Sequence, residues 1–213
     1  MINTCRDIAK KLVNLNNVRN SEIVSFDTLL FPKYRSNSNA NFRISEQESK
    51  ILFANHFLIN KKFFSVEVPT MSTHSFSGKT KISARFDLVT YKSNEAKEFD
   101  WIIELKAHNP KDTSIQKDLE KMLASNCKCL WFHTLKNEDK ATIPSILKKF
   151  NISFNNLSEK FNNLSEKEKS LARLLIVFVV INKKLLYSTE FQLDKWRSCL
   201  PTDRNKLKKE KLA

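Results

Sequence analysis

Glycine is the scarcest residue of this chain: Gly78 is the only one among 213 residues. Glycine is the residue that normally lets a backbone approach a phosphate group closely or take a positive φ angle. The dinucleotide-binding fingerprint, the nucleophile elbow of hydrolases and the glycine loop of kinases each need at least two glycines. The sequence therefore excludes all three sites. The segment around Gly78 is better interpreted as a hairpin turn than as a phosphate loop, because Thr73 stands where such a loop has its first glycine.

Positive charge is in large excess, with 37 Lys and Arg against 23 Asp and Glu and a formal net charge of +14. Because cations placed near phosphate groups release bound counterions, this surplus favours polyanions, and nucleic acid above all, as partners. Part of the surplus lies in residues 201–213, a basic tail that we expect to be disordered.

Membrane and secretion signals are missing from the sequence. The longest apolar run, Leu174 to Ile181, is far shorter than the roughly 20 residues that cross a bilayer, and residues 1–7 have no apolar signal core. The four cysteines form no CxxC pair, which is typical of structural thiols in a reducing compartment. We expect a cytoplasmic globular protein without membrane contact.

The middle of the chain alternates between helical and strand patterns. Ser45 and Glu48 form a capping box that should open a helix, and Thr113 with Gln116 should open another. Strand patterns run from Phe64 until Pro69 ends the first of them. The helix that begins at Ser45 should bury Ile51, Leu52, Asn55, Leu58 and Ile59. The three later strands should cover Ile82–Tyr91, Phe99–His108 and Lys128–Leu135.

This order, helix, three strands, helix, strand, predicts an α/β fold with a mixed central sheet. The first three strands follow one another through short connections and should pair antiparallel, whereas a helical crossover lets the fourth pair parallel. We predict a core over 42–140, an N-terminal helical region with a loop over 1–41, and C-terminal helices with a hairpin over 141–200.

A seven-residue duplication marks the C-terminal third, where Phe154 to Lys160 is repeated identically at Phe161 to Lys167. Repeats at this spacing favour one lengthened helix that follows the predicted helix at Ile143 to Phe150. Such a helix offers a surface for a protein partner or a second copy. Beyond it, two apolar runs predict a hairpin that turns near Asn182 to Lys184.

Charged residues lie inside two apolar strands of the predicted core. Glu104 and Lys106 share one face of the third strand, because strand side chains alternate, and Asp87 lies on the neighbouring strand. Two carboxylates at one sheet edge suit Mg²⁺, and a lysine beside them can orient water or offset charge on phosphate. The alternative is a solvated ion pair, but charges inside a central strand are costly unless they are paired or bound to metal.

Asp87, followed after 16 residues by Glu104-Leu105-Lys106 within this order of elements, resembles the PD-(D/E)XK nuclease superfamily. The resemblance covers about residues 45–135, and Phe86 replaces the proline of the name. It implies a restriction-endonuclease-like fold and hydrolysis of nucleic acid, with DNA as the expected substrate. It also implies Mg²⁺ or Mn²⁺ as cofactor, bound by Asp87, Glu104 and the carbonyl of Leu105, and Lys106 as the catalytic lysine.

Three further residues are candidates for this site. Glu48 is the favoured acidic residue from the first helix, with Glu46 as the alternative, although the capping box competes for Glu48. His108 and Gln116 are candidates for substrate contact, with a surface position and a capping role as their respective alternatives. The rival function is a non-catalytic nucleic-acid-binding or adaptor protein on a degenerate nuclease fold.

Overall fold

The computed structural model describes residues 1–17, 29–32, 42–76, 80–125, 127–163, 165 and 172–212, with the main chain alone for 71–76, 80–83 and 161. Seven strands form one sheet, and their order across the sheet is their order along the chain. They are β1 Phe64–Phe76, β2 Thr80–Tyr91, β3 Phe99–Ala107, β4 Lys128–Leu135, β5 Arg173–Val180, β6 Leu185–Gln192 and β7 Lys208–Lys211.

Six α-helices lie within the described residues: α1 Ile2–Asn17, α2 Glu46–Ile59, α3 Asp112–Leu123, α4 Thr142–Asn156, α5 Ser158–Asn162 and α6 Trp196–Cys199. Two short 3₁₀ turns, Leu193–Lys195 and Arg204–Lys206, complete the C-terminal part. The predicted N-terminal helix and the predicted four strands of the core are therefore present.

The sheet is mixed, as predicted. β1, β2 and β3 pair antiparallel, β3, β4 and β5 pair parallel, and β6 and β7 return to antiparallel pairing. The helix α3 provides the crossover between β3 and β4, so the predicted order of helix, three strands, helix and strand is confirmed. The predicted C-terminal hairpin is also confirmed as β5 and β6.

Helices cover both faces of the sheet. Alternate residues of the central strands point to opposite faces, so that Ile102 packs with α3 and α4 whereas Ile103 and Leu105 pack with α1 and α2. The strands β4 and β5 are each buried along all but their first residue, because helices cover both of their faces. The molecule is an α/β protein with three layers.

The helix α2 begins as predicted but buries a different face. Ser45 is its N-cap, and both hydrogen bonds of the capping box with Glu48 are present. The residues against the sheet are Leu52, Phe53 and Phe57, whereas three members of the predicted face are more than half exposed: Ile51, Leu58 and Ile59. That part of the prediction was wrong because α2 packs one side on the sheet and on α1 and turns the other to solvent.

The strand β1 does not end at Pro69 but continues to Phe76. It is an edge strand, where proline is tolerated because its missing N–H is not needed by a neighbouring strand. The irregular pairing with β2 falls between Pro69 and Thr73. The predicted end of the strand therefore marks a local irregularity within a longer hairpin.

The seven-residue duplication does not form one long helix. The helix α4 ends at Asn156, Leu157 turns its buried side chain into the core, and α5 begins at Ser158. The paired asparagines before Leu157 have low helix propensity, which favours a break there. The predicted lengthened helix is therefore wrong as far as residue 163, and residues 164 and 166–171 lie outside the described part of the chain.

The basic tail is ordered as far as residue 212, in contrast to the prediction of disorder. The strand β7 pairs with β6, and the flanking side chains of Leu207 and Leu212 are buried. Arg6 of α1 also forms a 2.7 Å ion pair with Glu210. Two buried leucines and a strand pairing offset the entropy of ordering a segment that charge composition alone would leave in solvent.

Two predicted features fall wholly or partly outside the described residues: the turn at Gly78, and the part of the N-terminal region and its loop at 18–28 and 33–41. The boundary of the core at 42–140 stays a prediction. In the described residues, no helix combines the length and the apolarity that a bilayer crossing requires.

Candidate functional site

The site lies where β2 and β3 cease to pair. Their last paired residues on this side are Leu88 and Ile103, and beyond them Asp87 Oδ2 accepts a hydrogen bond of 2.8 Å from the N–H of Leu105. In the gap between the parting strands, the carboxylate of Asp87 thus accepts the hydrogen bond that a backbone carbonyl of β2 would accept in a continuous sheet. Because the N–H and C=O of one strand residue point to the same side, the carbonyl of Leu105 is also directed toward the gap.

Glu104 and Lys106 point together toward α3, which confirms the predicted shared face. There they meet Asp118 and Lys121 and form a charge ring, a name we use for these four residues. Lys121 Nζ lies 2.6 Å from Glu104 Oε1 and 2.8 Å from Asp118 Oδ1. Lys106 Nζ lies 3.0 Å from Asp118 Oδ2 and 3.9 Å from Glu104 Oε2. Acids and lysines therefore alternate around the ring.

The charge ring is buried, and this burial governs its electrostatics. The side chain of Glu104 is only 2% exposed. Burial raises the pKa of Glu104 well above its ordinary value, and the carboxylate of Asp118 raises it further while Lys121 opposes the rise. Burial alone would lower the pKa of Lys106, but Asp118 and Glu104 raise it above its ordinary value. Lys106 is thus an ammonium group at neutral pH.

Asp87 has a second contact on the opposite side of the gap. Its Oδ1 lies 3.2 Å from Nζ of Lys50, a residue of α2 that also pairs with Glu67 of β1. The two predicted metal-binding carboxylates are therefore each accompanied by a lysine from a different helix, Lys50 for Asp87 and Lys121 for Glu104.

The acidic residue that α2 brings to the site is Glu46 rather than Glu48. The Glu48 carboxylate accepts hydrogen bonds of 2.9 Å from the N–H and 2.7 Å from the hydroxyl of Ser45, so the capping box occupies it. Glu46 instead lines a cleft together with Ala107 at the end of β3. Burial, followed by the carboxylates of Asp87 and Asp118, raises the pKa of Glu46 against the opposing charge of Lys106. The structure thus favours the alternative that the sequence ranked second.

A cleft of about 420 Å³ opens beside this end of β3. Its wall includes Glu46 and Gln47 of α2, Ala107 at the end of β3, His108 just after it, and the exposed side chain of Arg43. No described residue forms an ion pair with Arg43. The cleft gives a ligand access to Glu46 and carries one cation at its mouth.

His108 lies at the cleft but also holds two segments together. Its backbone has a φ angle of 61°, which is uncommon for a residue other than glycine. The ring Nε2 donates a 2.9 Å hydrogen bond to the carbonyl of Ile44, just before α2. This contact fixes the start of α2 against the end of β3. The predicted substrate contact stays a prediction.

Gln116 is tied to a neighbouring helix. Its Oε1 accepts a 3.1 Å hydrogen bond from Asn156 at the end of α4. The predicted capping role is wrong, since α3 begins at Asp112 and its N-cap, Lys111, makes no side-chain cap bond. The hydrogen bond between Gln116 and Asn156 holds α3 and α4 together, and it does not favour a substrate contact by Gln116.

Asp118, Lys121 and Lys50 are the site residues that sequence reasoning missed. On a helical wheel Asp118 falls inside the buried stripe of α3, between Ile115 and Met122, and that position is the signal that could have found it. Lys50 gave no such signal, because its partners are brought near by the pairing of β1 with β2.

The groups around the gap include more carboxylates than lysines. Five carboxylates face three ammonium groups, which leaves two formal negative charges in excess; the groups are Glu46, Glu67, Asp87, Glu104 and Asp118 with Lys50, Lys106 and Lys121. Glu104 Oε1 is buried, and the ammonium of Lys121 lies 2.6 Å from it. Mg²⁺ needs only one or two protein carboxylates, since water completes its shell. Within the part of the chain that the structure describes, no group of three or more His, Cys, Asp or Glu residues is arranged as a metal cage.

Comparison of the chain with protein-family models, with curated proteins and with solved structures finds no match. The fold and the site define an α/β protein that carries a buried charge ring at the point where two strands of its sheet part. Its function must be argued from these residues.

Proposed function

We propose that this chain is a Mg²⁺-dependent nuclease of the PD-(D/E)XK type, which hydrolyses phosphodiester bonds of nucleic acid, with DNA as the expected substrate. The observation that carries the proposal is the meeting of Asp87, Glu104 and Lys106 where β2 and β3 part. The order of helix, three strands, helix and strand around them supports a restriction-endonuclease-like core.

The residues that would hold Mg²⁺ are Asp87, Glu104 and the carbonyl of Leu105, with Glu46 in place of Glu48 as the residue from α2. Mn²⁺ would bind the same oxygens. When bound, the ion polarises a water molecule and offsets charge on the phosphate. Because Lys121 already lies 2.6 Å from Glu104 Oε1, the oxygen of this carboxylate left for a metal ion is Oε2, which lies 3.9 Å from Nζ of Lys106.

Lys106 acts in this proposal as a hydrogen-bond donor and not as a base. Because neighbouring carboxylates raise its pKa, Nζ keeps its proton at neutral pH. Nζ lies 3.9 Å from Glu104 Oε2 and 3.0 Å from Asp118 Oδ2, so it is beside a carboxylate that would hold the metal. It would orient the attacking water and stabilise charge that develops on phosphorus.

Substrate binding would use the basic surface and the cleft. The net charge of +14 attracts the nucleic-acid backbone, and Arg43 at the mouth of the cleft can contact a phosphate group. By analogy with the fold class, we place such a nuclease in restriction, repair or anti-phage defence in a bacterial cytoplasm.

Cleavage of plasmid DNA, single-stranded DNA and RNA in Mg²⁺ or Mn²⁺ tests the proposal. Asp87→Asn, Glu104→Gln and Lys106→Met should each reduce the cleavage rate by about 100-fold or more, a size typical for removal of a charge-stabilising group. Glu190→Gln is the matched control, because this exposed carboxylate on β6 belongs to no ion pair in the described residues. Equal rates for all four variants would contradict the proposal.

The rival is a nucleic-acid-binding or adaptor protein without catalysis. One observation favours it: lysines already accompany Asp87, Glu104 and Asp118, so the cluster is held together without a metal. The rival predicts nucleic-acid binding that is insensitive to chelators, no cleavage with any divalent ion and no effect of Glu104→Gln on affinity.

A further inference from the structure

Lys121 occupies a buried position between three oxygens from three elements. Its ammonium donates a 2.8 Å hydrogen bond to the carbonyl of Arg85 on β2. It also lies 2.6 Å from Glu104 Oε1 on β3 and 2.8 Å from Asp118 Oδ1 on its own helix. The side chain is only 7% exposed. Two carboxylates and a carbonyl around one point match the three N–H donors of an ammonium group, and the same oxygens are ligands that a hard cation prefers.

The contacts of both lysines with the acids are charge contacts at hydrogen-bonding distance. Nζ of Lys121 lies 2.6 Å from Glu104 Oε1, and Nζ of Lys106 lies 3.0 Å from Asp118 Oδ2. Both lysines therefore place positive charge where a metal ion bound to the same acids would place it.

The two carboxylates depend on this ammonium. Burial raises the pKa of Glu104 most, the carboxylate of Asp118 raises it further, and Lys121 is the strongest opposing charge. Removal of one partner from a buried ion pair leaves an uncompensated charge, which is strongly unfavourable. Loss of the Lys121 ammonium would therefore have to be compensated by a proton on one of the acids or by another cation.

We propose that Lys121 is a tethered cation: its ammonium fills a second cation position beside the metal of the proposed nuclease and positions Glu104 toward the gap. The inference rests on the proposed function only for the nuclease metal ion. The second cation position, which Lys121 fills, does not depend on that function. Truncation of Lys121 should open a site for a divalent ion formed by Glu104, Asp118 and the carbonyl of Arg85. Oxygens that now lie 2.6–2.8 Å from nitrogen suit Ca²⁺, with contacts of about 2.3–2.6 Å, better than Mg²⁺ at about 2.0–2.1 Å.

Calorimetric titration of the full chain with Mn²⁺ and with Ca²⁺ counts the sites. Lys121→Ala should bind one more divalent ion per chain than the wild type, and Ca²⁺ should fill the extra site at least as tightly as Mn²⁺. Lys121→Met should add no site, because its apolar chain fills the space. Lys148→Ala, which truncates an exposed lysine of α4, is the control and should leave the count unchanged.

The stoichiometry separates this inference from the proposed function. If the nuclease metal exists, the count rises from one to two; if it does not, the count rises from zero to one, and Lys121 still holds a cation position. An unchanged count in folded Lys121→Ala overturns the inference, whatever the cleavage assays show.

A variant that does not fold in chelator still tests the idea. Folding of Lys121→Ala restored by Ca²⁺ supports the proposal. If the variant folds under no condition, nitrogen-15 NMR of the wild-type lysine ammonium groups decides. A slowly exchanging Lys121 ammonium coupled across its contacts to carboxylate carbons supports a held cation, and its absence overturns the inference.

Discussion

His133 is a fully buried histidine whose two ring nitrogens both have partners. Nε2 donates a 2.5 Å hydrogen bond to the carbonyl of His108, and Nδ1 accepts one of 3.4 Å from the indole N–H of Trp131. Because a carbonyl can only accept, the proton must lie on Nε2 and Nδ1 must be bare. Burial, together with the charge of nearby Lys106, lowers the pKa of His133 to about 4 even though the bond to His108 opposes the shift. The ring is neutral in the folded protein.

His133 should therefore make folding stability depend on pH between about 6.5 and 4. Its pKa is about 6.5 in an unfolded chain and about 4 in the folded protein, so the unfolded state binds the extra proton first. The stabilisation is complete above pH 6.5 and falls by about 3 kcal/mol as the pH drops to 4. Urea denaturation of the wild type and of His133→Gln should show that the difference between them shrinks with falling pH. A constant difference would contradict the neutral assignment.

Substitution of Glu46 should affect metal binding, whereas substitution of Glu48 should affect stability. Glu46→Gln should weaken Mn²⁺ binding by about tenfold, in the range seen when a supporting carboxylate of a metal site is lost. Glu48→Ala should leave Mn²⁺ affinity unchanged but lower the free energy of unfolding by about 1 kcal/mol, because the capping box is broken. Calorimetry and urea denaturation measure the two effects. If Glu48→Ala weakens Mn²⁺ binding and Glu46→Gln does not, Glu48 is the site residue.

The residues of the site differ in how visible they are in the sequence. Asp87, Glu104 and Lys106 stand out because charges inside apolar strands are costly, and the two-residue period fixes the face that Glu104 and Lys106 share. Glu46 and Glu48 cannot be ranked in the same way, since both lie in the first turn of α2 and only the packing of that turn against Ala107 selects Glu46. Lys50 depends on tertiary pairing that no local pattern encodes.

At the scale of elements, the middle of the chain was more predictable than its ends. Strands β2 to β4 follow from alternation and apolar runs, and their limits agree closely with the prediction. The break after Asn156 and the ordering of residues 208–211 depend on where Leu157, Leu207 and Leu212 find a core to enter. Such burial is a tertiary property, and charge or repeat patterns cannot reveal it.

The strand β7 should contribute measurably to stability. Leu212 is 1% exposed and packs on the face covered by α1 and α2. Leu212→Ala should lower the free energy of unfolding by about 2 kcal/mol, the low end for a buried leucine because the site is terminal. Leu58→Ala, at an exposed position on α2, is the control and should change it by less than about 0.5 kcal/mol. Equal effects of Leu212→Ala and Leu58→Ala in urea denaturation would contradict a stabilising role for β7.

At the scale of the whole molecule, the charge surplus should govern nucleic-acid affinity. With a net charge of +14, even four phosphate contacts would weaken binding by about 100-fold between 50 and 200 mM salt. Fluorescence anisotropy of Glu104→Gln with a labelled duplex, in chelator to prevent cleavage, measures this dependence. A change below about threefold would show that the surplus charge does not face the nucleic acid.

The identical order of strands in the sheet and along the chain has a consequence for synthesis on the ribosome. Each strand from β2 to β7 joins a neighbour that has already been made, so no gap in the sheet has to wait for a later segment. Strands emerge at about 5–20 residues per second, far more slowly than a hairpin forms. Each newly formed edge of the nascent sheet is thus covered by the next strand that emerges. The last strand to arrive, with three lysines among its four residues, closes that edge against pairing with other chains.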